Sequence, residues 1–260
     1  AWESNVHPQV LIDNVPILLN KNPRILGVNF NPHLHFHVHA REAARKGCQK
    51  LKLLRSLAGS TWGCSKETLT KTYKTYIAPC LNYAAPVWSP NASVSAINEI
   101  QKCHNSAMRI ITGCHSSTPL SELHMEAQVL PVDTHLNLHS SQALVSALRP
   151  GHPSHDGVTA PPGPRRMKHT LASKHSAAVS PFLSNGVIVP AGYKDVLKEI
   201  HTSVVSDSIA TNRHSRVLDG PRPDISVSEK SLTRAERTAL AQLRTGECHY
   251  LMDYQTKVGR

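Results

Sequence analysis

The chain has 260 residues, enough for one or two domains with a buried core, and its 40% hydrophobic and 18% charged content is ordinary for a soluble protein. Its net charge of +11, from 29 Lys plus Arg against 18 Asp plus Glu, attracts polyanions, nucleic acid ahead of an anionic membrane surface. No run of about 18 apolar residues could span a bilayer. The opening AWESNVHPQV lacks the basic and apolar regions of a signal peptide, so an intracellular location, cytoplasmic and/or nuclear, is expected.

Residues 6 to 30 read as strands: VLIDNVPILL has two apolar runs around Asp13 and Asn14, and RILGVNF follows the Pro23 breaker. From about Ala40 the period becomes helical, with Ala44, Cys48, Leu51, Leu54 and Ala58 three or four apart and Gly59 at the expected left-handed stop. Ser65 is an N-cap for a second helix with Leu69, Tyr73, Tyr76, Ile77, Cys80 and Ala84 on its apolar side, kinked by Pro79. A third helix carries Ile97, Ile100, Ala107, Met108 and Ile111, capped by Ser93 or Ser95 and ended by Gly113. Two more are expected near Ser121 to Val129 and Thr134 to Leu148. Residues 149 to 192, rich in Pro, Gly and His, read as a flexible linker that cannot fold alone. Beyond it, Val196, Ile200 and Val204 predict a short helix, and Thr233 and Glu236 form a capping box opening a helix that stops at Gly246. The expected fold is mainly α: a small N-terminal β-hairpin region (1 to 39), a helical bundle (40 to 148), the linker (149 to 192) and a small helical C-terminal segment (193 to 260).

Four histidines alternate at His33, His35, His37 and His39. On a strand they would share a face, but His33 and His39 would lie roughly 20 Å apart, too far for one zinc shell; a polar loop face is the simpler reading. The six cysteines never form a C-x2-C pair and read as reduced, packing thiols. The charge pattern is more informative. Residues 41 to 75 hold nine basic side chains and two acids, and on a helix Arg41, Arg45, Lys52 and Arg55 fall within roughly 80 degrees of one another. A solvated face would mix signs, so this one suits a phosphate backbone. Catalytic arrangements are poor: no Asp-Asp pair, D-x-D, G-x-S-x-G, Walker A loop or G-x-G-x-x-G occurs.

Three stretches, RILGVNFNPHLHF, LRSLAGSTWGCSKETLTKTYKTYIAPCLNYAAPVWSP and IQKCHNSAMRIITGCHSSTPLSELHMEAQVLPVDTHL, closely resemble the reverse transcriptase of non-LTR (LINE-type) retrotransposons, in particular jockey-like elements. They match the region after the catalytic core: the end of the palm, the thumb and its extension, over roughly residues 6 to 148. The segment LTRAERTALAQLRTGECHYLMDYQTKVG is more weakly similar to the stretch preceding a C-terminal zinc motif. The resemblance implies a primer-grip-like role for Leu26 and Gly27, and contact with template and primer phosphates through Arg41, Arg45, Lys52, Arg55, Lys66, Lys71 and Lys74, with Trp62 as a stacking or packing group and Tyr83 and Trp88 as core anchors. Partners would be an RNA/DNA template-primer and an upstream polymerase core. The family's catalytic aspartates are not among the matched residues, so polymerisation by this chain alone is not expected; no cofactor is expected either, since magnesium would be needed only by the polymerase core. Two rivals are a basic stand-alone adaptor binding nucleic acid or protein, and a histidine-based metal-binding protein.

Overall fold

The computed structural model describes residues 10–18, 20–59, 62–160, 170–183, 193–211 and 231–259. Two short antiparallel hairpins come first. In one, β1 (Leu11–Ile12) pairs with β2 (Val15–Pro16); in the other, β3 (Arg24–Ile25) pairs with β4 (Val28–Asn29). Each turns through two residues of positive φ, Asp13 and Asn14 at 50° and 62°, then Leu26 and Gly27 at 47° and 86°. This is the turn whose twist matches paired strands. Asp, Asn and Gly accept it readily; Leu26 does not, and a leucine there costs about 1–2 kcal/mol.

The rest is mainly helical. The longest helix, α1 (His37–Leu57), starts three residues before the position expected from periodicity and buries Ala40, Ala43, Ala44, Gly47, Leu51 and Leu54. Cys48 is exposed and Gly47 takes the inward place. A Cβ on Gly47 would stand 2.6 Å from Leu81 Cδ2 and 3.0 Å from Cys103 Sγ, so glycine lets neighbouring elements close on α1. The helix ends at Ala58, and Gly59, expected as a left-handed stop, is not one. It leaves room instead for the Trp62 ring, which a Cβ at Gly59 would meet at 2.6 Å.

Ser65 caps α2 (Lys66–Thr72) by accepting from the Thr68 amide. The helix then widens into a π turn (Tyr73–Ile77), in which Ala78 N–H donates to Tyr73 O, before α3 (Ala78–Leu81). Pro79 is the reason: it has no N–H and its ring crowds the preceding turn. The predicted kink therefore takes the form of a wider turn. After α4 (Ala85–Trp88), α5 (Val94–Thr112) is capped by Ser93 and stopped by Gly113 at φ 77°. Helices α6 (Leu120–Ala127) and α7 (Val132–Ala147) follow. Tyr73, Ile77, Trp88, Ile100, Met108, Ile111, Leu123 and Leu136 are among the side chains buried between these elements.

Residues 149 to 192, read from composition as a linker, contain α8 (His155–Thr159) and α9 (Leu171–Val179), the latter opened by a Thr170/Ser173 capping box; residues 161–169 and 184–192 lie outside the described set. The apolar side chains here are too few to fold alone, but they are not alone. Val179, Leu171, Phe182 and Leu183 pack with Leu138, Leu144 and Val145 of α7 and with Ile200 of α10 (Tyr193–Thr211). The predicted capping box opens α11 (Arg234–Arg244), with Thr233 and Glu236 serving each other's amides, and α12 (Met252–Val258) follows. Among the described residues no helix is long and apolar enough to cross a membrane.

Candidate nucleic-acid interface

The β3–β4 turn is fixed to the helices at two points. Tyr83 Oη donates to the Leu26 carbonyl at 2.9 Å, and its ring lies against Gly27, where a Cβ would come within 3.1 Å of Cε1. Tyr83 is thus half-exposed and braces the turn, whereas it was expected in the core; Trp88 is fully buried, its Nε1 donating to Tyr83 O at 2.8 Å. The second point is the root of the hairpin. Asn29 Nδ2 donates to Glu42 Oε2 at 2.5 Å, and Asn31 Oδ1 accepts from the Phe36 amide at 3.1 Å. The Asn29 hydrogen bond, with Lys46 beside it, holds the Glu42 carboxyl below its usual pKa. Leu26 itself is 88% exposed. The tip is a rigidly held apolar residue in a strained conformation.

The histidine run does not lie on one strand. His33 and His35 are exposed on the loop with rings stacked at 5.8 Å, His37 opens α1, and His39 is buried against the Trp88 ring. Burial lowers the His39 pKa.

Arg41, Arg45, Lys52 and Arg55 are all exposed on α1, and no ion pair involves any of them among the described residues. From Arg41 to Arg55 the stripe is roughly 21 Å long, at about 1.5 Å rise per residue. The other basic residues of the 41–75 region are engaged differently. Lys46 pairs with Glu42 at 3.1 Å, and Lys71 with Glu67 at 2.8 Å. Lys50 lies over the Tyr76 ring at 4.1 Å and donates to Tyr76 O at 3.0 Å. Lys66 is buried, 2.5 Å from Glu126 Oε1, which takes it out of the set of cations open to a phosphate. Lys74 is exposed beside His135, whose pKa its charge helps to lower.

The structure therefore divides the predicted site. Lys50, which meets the π turn, is roughly opposite the Arg41–Arg55 stripe around α1 at about 100 degrees per residue. Lys71 and Lys74 are carried not on α1 but on α2 and the π turn that Lys50 meets. Trp62 is 65% exposed and covers Gly59 at the α1 terminus. What sequence reasoning missed was Tyr83: its partner at Leu26 is 57 positions away, and no local signal announces that.

A hairpin whose tip is braced against a helical bundle with an exposed cationic flank defines the class, a mainly α protein with small N-terminal hairpins. Two comparisons name relatives. The chain is 29% identical over 135 residues, 52% of its length, to the "Probable RNA-directed DNA polymerase from transposon X-element" of Drosophila melanogaster. It is 27% identical over 119 residues, 46% of its length, to the "Probable RNA-directed DNA polymerase from transposon BS" of the same species. The chain is thus related to retrotransposon RNA-directed DNA polymerases, and the matches span 15% and 13% of those relatives' lengths. No family model and no solved structure matches.

Proposed function

We propose that this chain is the post-catalytic portion, palm end and thumb, of a jockey-like non-LTR reverse transcriptase, and that α1 lies along the phosphates of an RNA/DNA template-primer in the cytoplasm or nucleus. One observation carries this reading: four exposed cations in line on one helix flank with no acid paired to them among the described residues. Phosphate contacts of this kind supply affinity and position without reading bases. The relationship to transposon polymerases supports it. So does the apolar N-terminal edge, where Leu11, Ile12, Val15, Leu18, Ile25 and Leu26 are each more than half exposed, a face suited to a polymerase core that would itself hold magnesium.

The test is binding of an RNA–DNA hybrid across a salt series. Each neutralised phosphate contributes a slope of about 0.9 in log affinity against log salt. Replacing Arg41, Arg45, Lys52 and Arg55 by Gln should therefore flatten the slope by up to about 3.6, whereas Lys71→Gln with Lys74→Gln should change it less. Binding that ignores salt, or a slope indifferent to the four α1 substitutions, would refute the reading and favour a protein-binding adaptor.

A further inference from the structure

One turn apart on α7, His135 and His139 face each other edge-on, ring centroids 4.5 Å apart and planes at 90°, with their Nε2 atoms separated by 3.1 Å. Both side chains are only partly buried. Two imidazole nitrogens that each bind a metal at about 2.0–2.1 Å, with an angle near 100° between the bonds, also stand about 3.1 Å apart. The observed spacing is thus that of two neighbouring ligands on one ion, and α7 supplies it without moving its backbone. An all-nitrogen donor pair suits late first-row divalent ions over magnesium or calcium, which take oxygen.

We propose that His135 and His139 form a two-imidazole site for a late first-row divalent cation such as Cu2+, Ni2+ or Zn2+, with water in the remaining positions. Among the described residues no set of three or more His, Cys, Asp or Glu side chains converges on one point, so the protein contributes two ligands and the ion stays exchangeable. Burial keeps the rings neutral, while the Lys74 charge facing the pair opposes a bound cation as it opposes a proton. Burial and the neighbouring His139, Lys74 and His201 depress the His135 pKa, to about 4, and burial depresses that of His139; both rings are then neutral near pH 7, the form that binds metal. His201 lies on α10, which packs against α7, so an ion at this pair sits beside the joint between these two helices. The site owes nothing to the basic stripe of α1, and its failure would leave the nucleic-acid reading intact.

The experiment titrates the full chain with Cu2+ in the absence of nucleic acid, by calorimetry and by electron paramagnetic resonance. A saturable site with one ion per chain and a spectrum showing coupling to two nitrogens is expected. His139→Gln, which keeps a hydrogen-bonding partner for His135 but no imidazole, should weaken that site at least about tenfold, while a His33→Ala, His35→Ala, His37→Ala variant should retain it. Loss of the ion in the triple variant alone would assign binding to the exposed loop histidines and overturn the proposal. So would a wild-type spectrum with a single nitrogen ligand, or an unchanged affinity in His139→Gln; the 3.1 Å contact would then be an imidazole–imidazole hydrogen bond and nothing more.

Discussion

Lys66 illustrates how one residue's role depends on a neighbour far along the chain. It sits in the first turn of α2, where a lysine would normally extend into water, yet it is 4% exposed because Glu126 of α6 is 2.5 Å away and Arg244 of α11 reaches the same carboxylate oxygen at 3.5 Å. Two cations and one anion are therefore held out of water together. A buried charge is tolerable only while it is paired, and removing the shared carboxylate takes that partner from Lys66 and Arg244 alike. Glu126→Gln, which keeps the shape and removes the charge, is expected to destabilise the fold by about 3–5 kcal/mol, read as a fall in the urea midpoint. A loss under about 1 kcal/mol would mean that water reaches the site. The same comparison divides the predicted basic site: Arg41, Arg45, Lys52 and Arg55 could be placed on one helix flank from spacing alone, whereas nothing near Lys66 in sequence signals Glu126, 60 positions on.

At the scale of elements, the packing of α2 and its π turn, α5, α6 and α7 buries a chain of histidines. Tyr73 Oη and His104 Nδ1 are hydrogen-bonded at 2.6 Å, the His104 and His124 rings are 5.1 Å apart, and His124 Nε2 meets Asn105 Oδ1 at 3.0 Å. Burial pushes His104 down to about 3 and His124 to about 4, with His135 also near 4. An unfolded histidine titrates near 6.5, so between that pH and the folded values the unfolded chain binds more protons. Stability from these groups is complete above about pH 6.5 and is lost as the pH falls from there towards 4, each histidine contributing about 1.4 kcal/mol per pH unit across its window. Urea midpoints at pH 7, 6 and 5 should fall steeply, and His104→Gln should shallow the acid limb by one proton's worth. A flat profile would show that these rings are protonated in the folded state. The helices bearing the cluster were legible from their period and caps; their mutual facing was not, because periodicity assigns an inward face and not the residue it meets.

For the whole molecule, the C-terminal segment is a clamp on the end of α5. Arg234 donates to the carbonyls of Ile111 and Ile110 at 2.7 and 2.6 Å, and Gln242 to that of Gly113 at 3.0 Å. These lie at the α5 terminus, where carbonyls have no partner within their own helix. Ser117 donates to Glu247 at 2.8 Å and Arg244 completes the buried trio. Cationic donors on helix-end carbonyls are worth more than neutral ones, about 1.5–3 kcal/mol each. Arg234→Ala is expected to release this segment before the core unfolds. Limited proteolysis should then cut within residues 231–259 while the fragment through α7 resists; simultaneous loss of both would show that the clamp is integral to the bundle.

From the sequence alone came the helical character, the helix starts at Ser65, Ser93 and Thr233, the stops at Gly113 and Gly246, and the resemblance to a retrotransposon polymerase. The helical character, the starts and the stops rest on local chemistry: hydrophobic period, side chains that satisfy the first free amides, and glycine where φ is positive; the resemblance rests on matched stretches of residues in order. Tertiary structure decided that residues 170–183 fold against α7 and α10, that Lys66 is buried, and that Tyr83 braces the Leu26 turn. Each of these depends on what arrives from elsewhere in the chain, since burial and pairing are properties of a meeting and not of a residue.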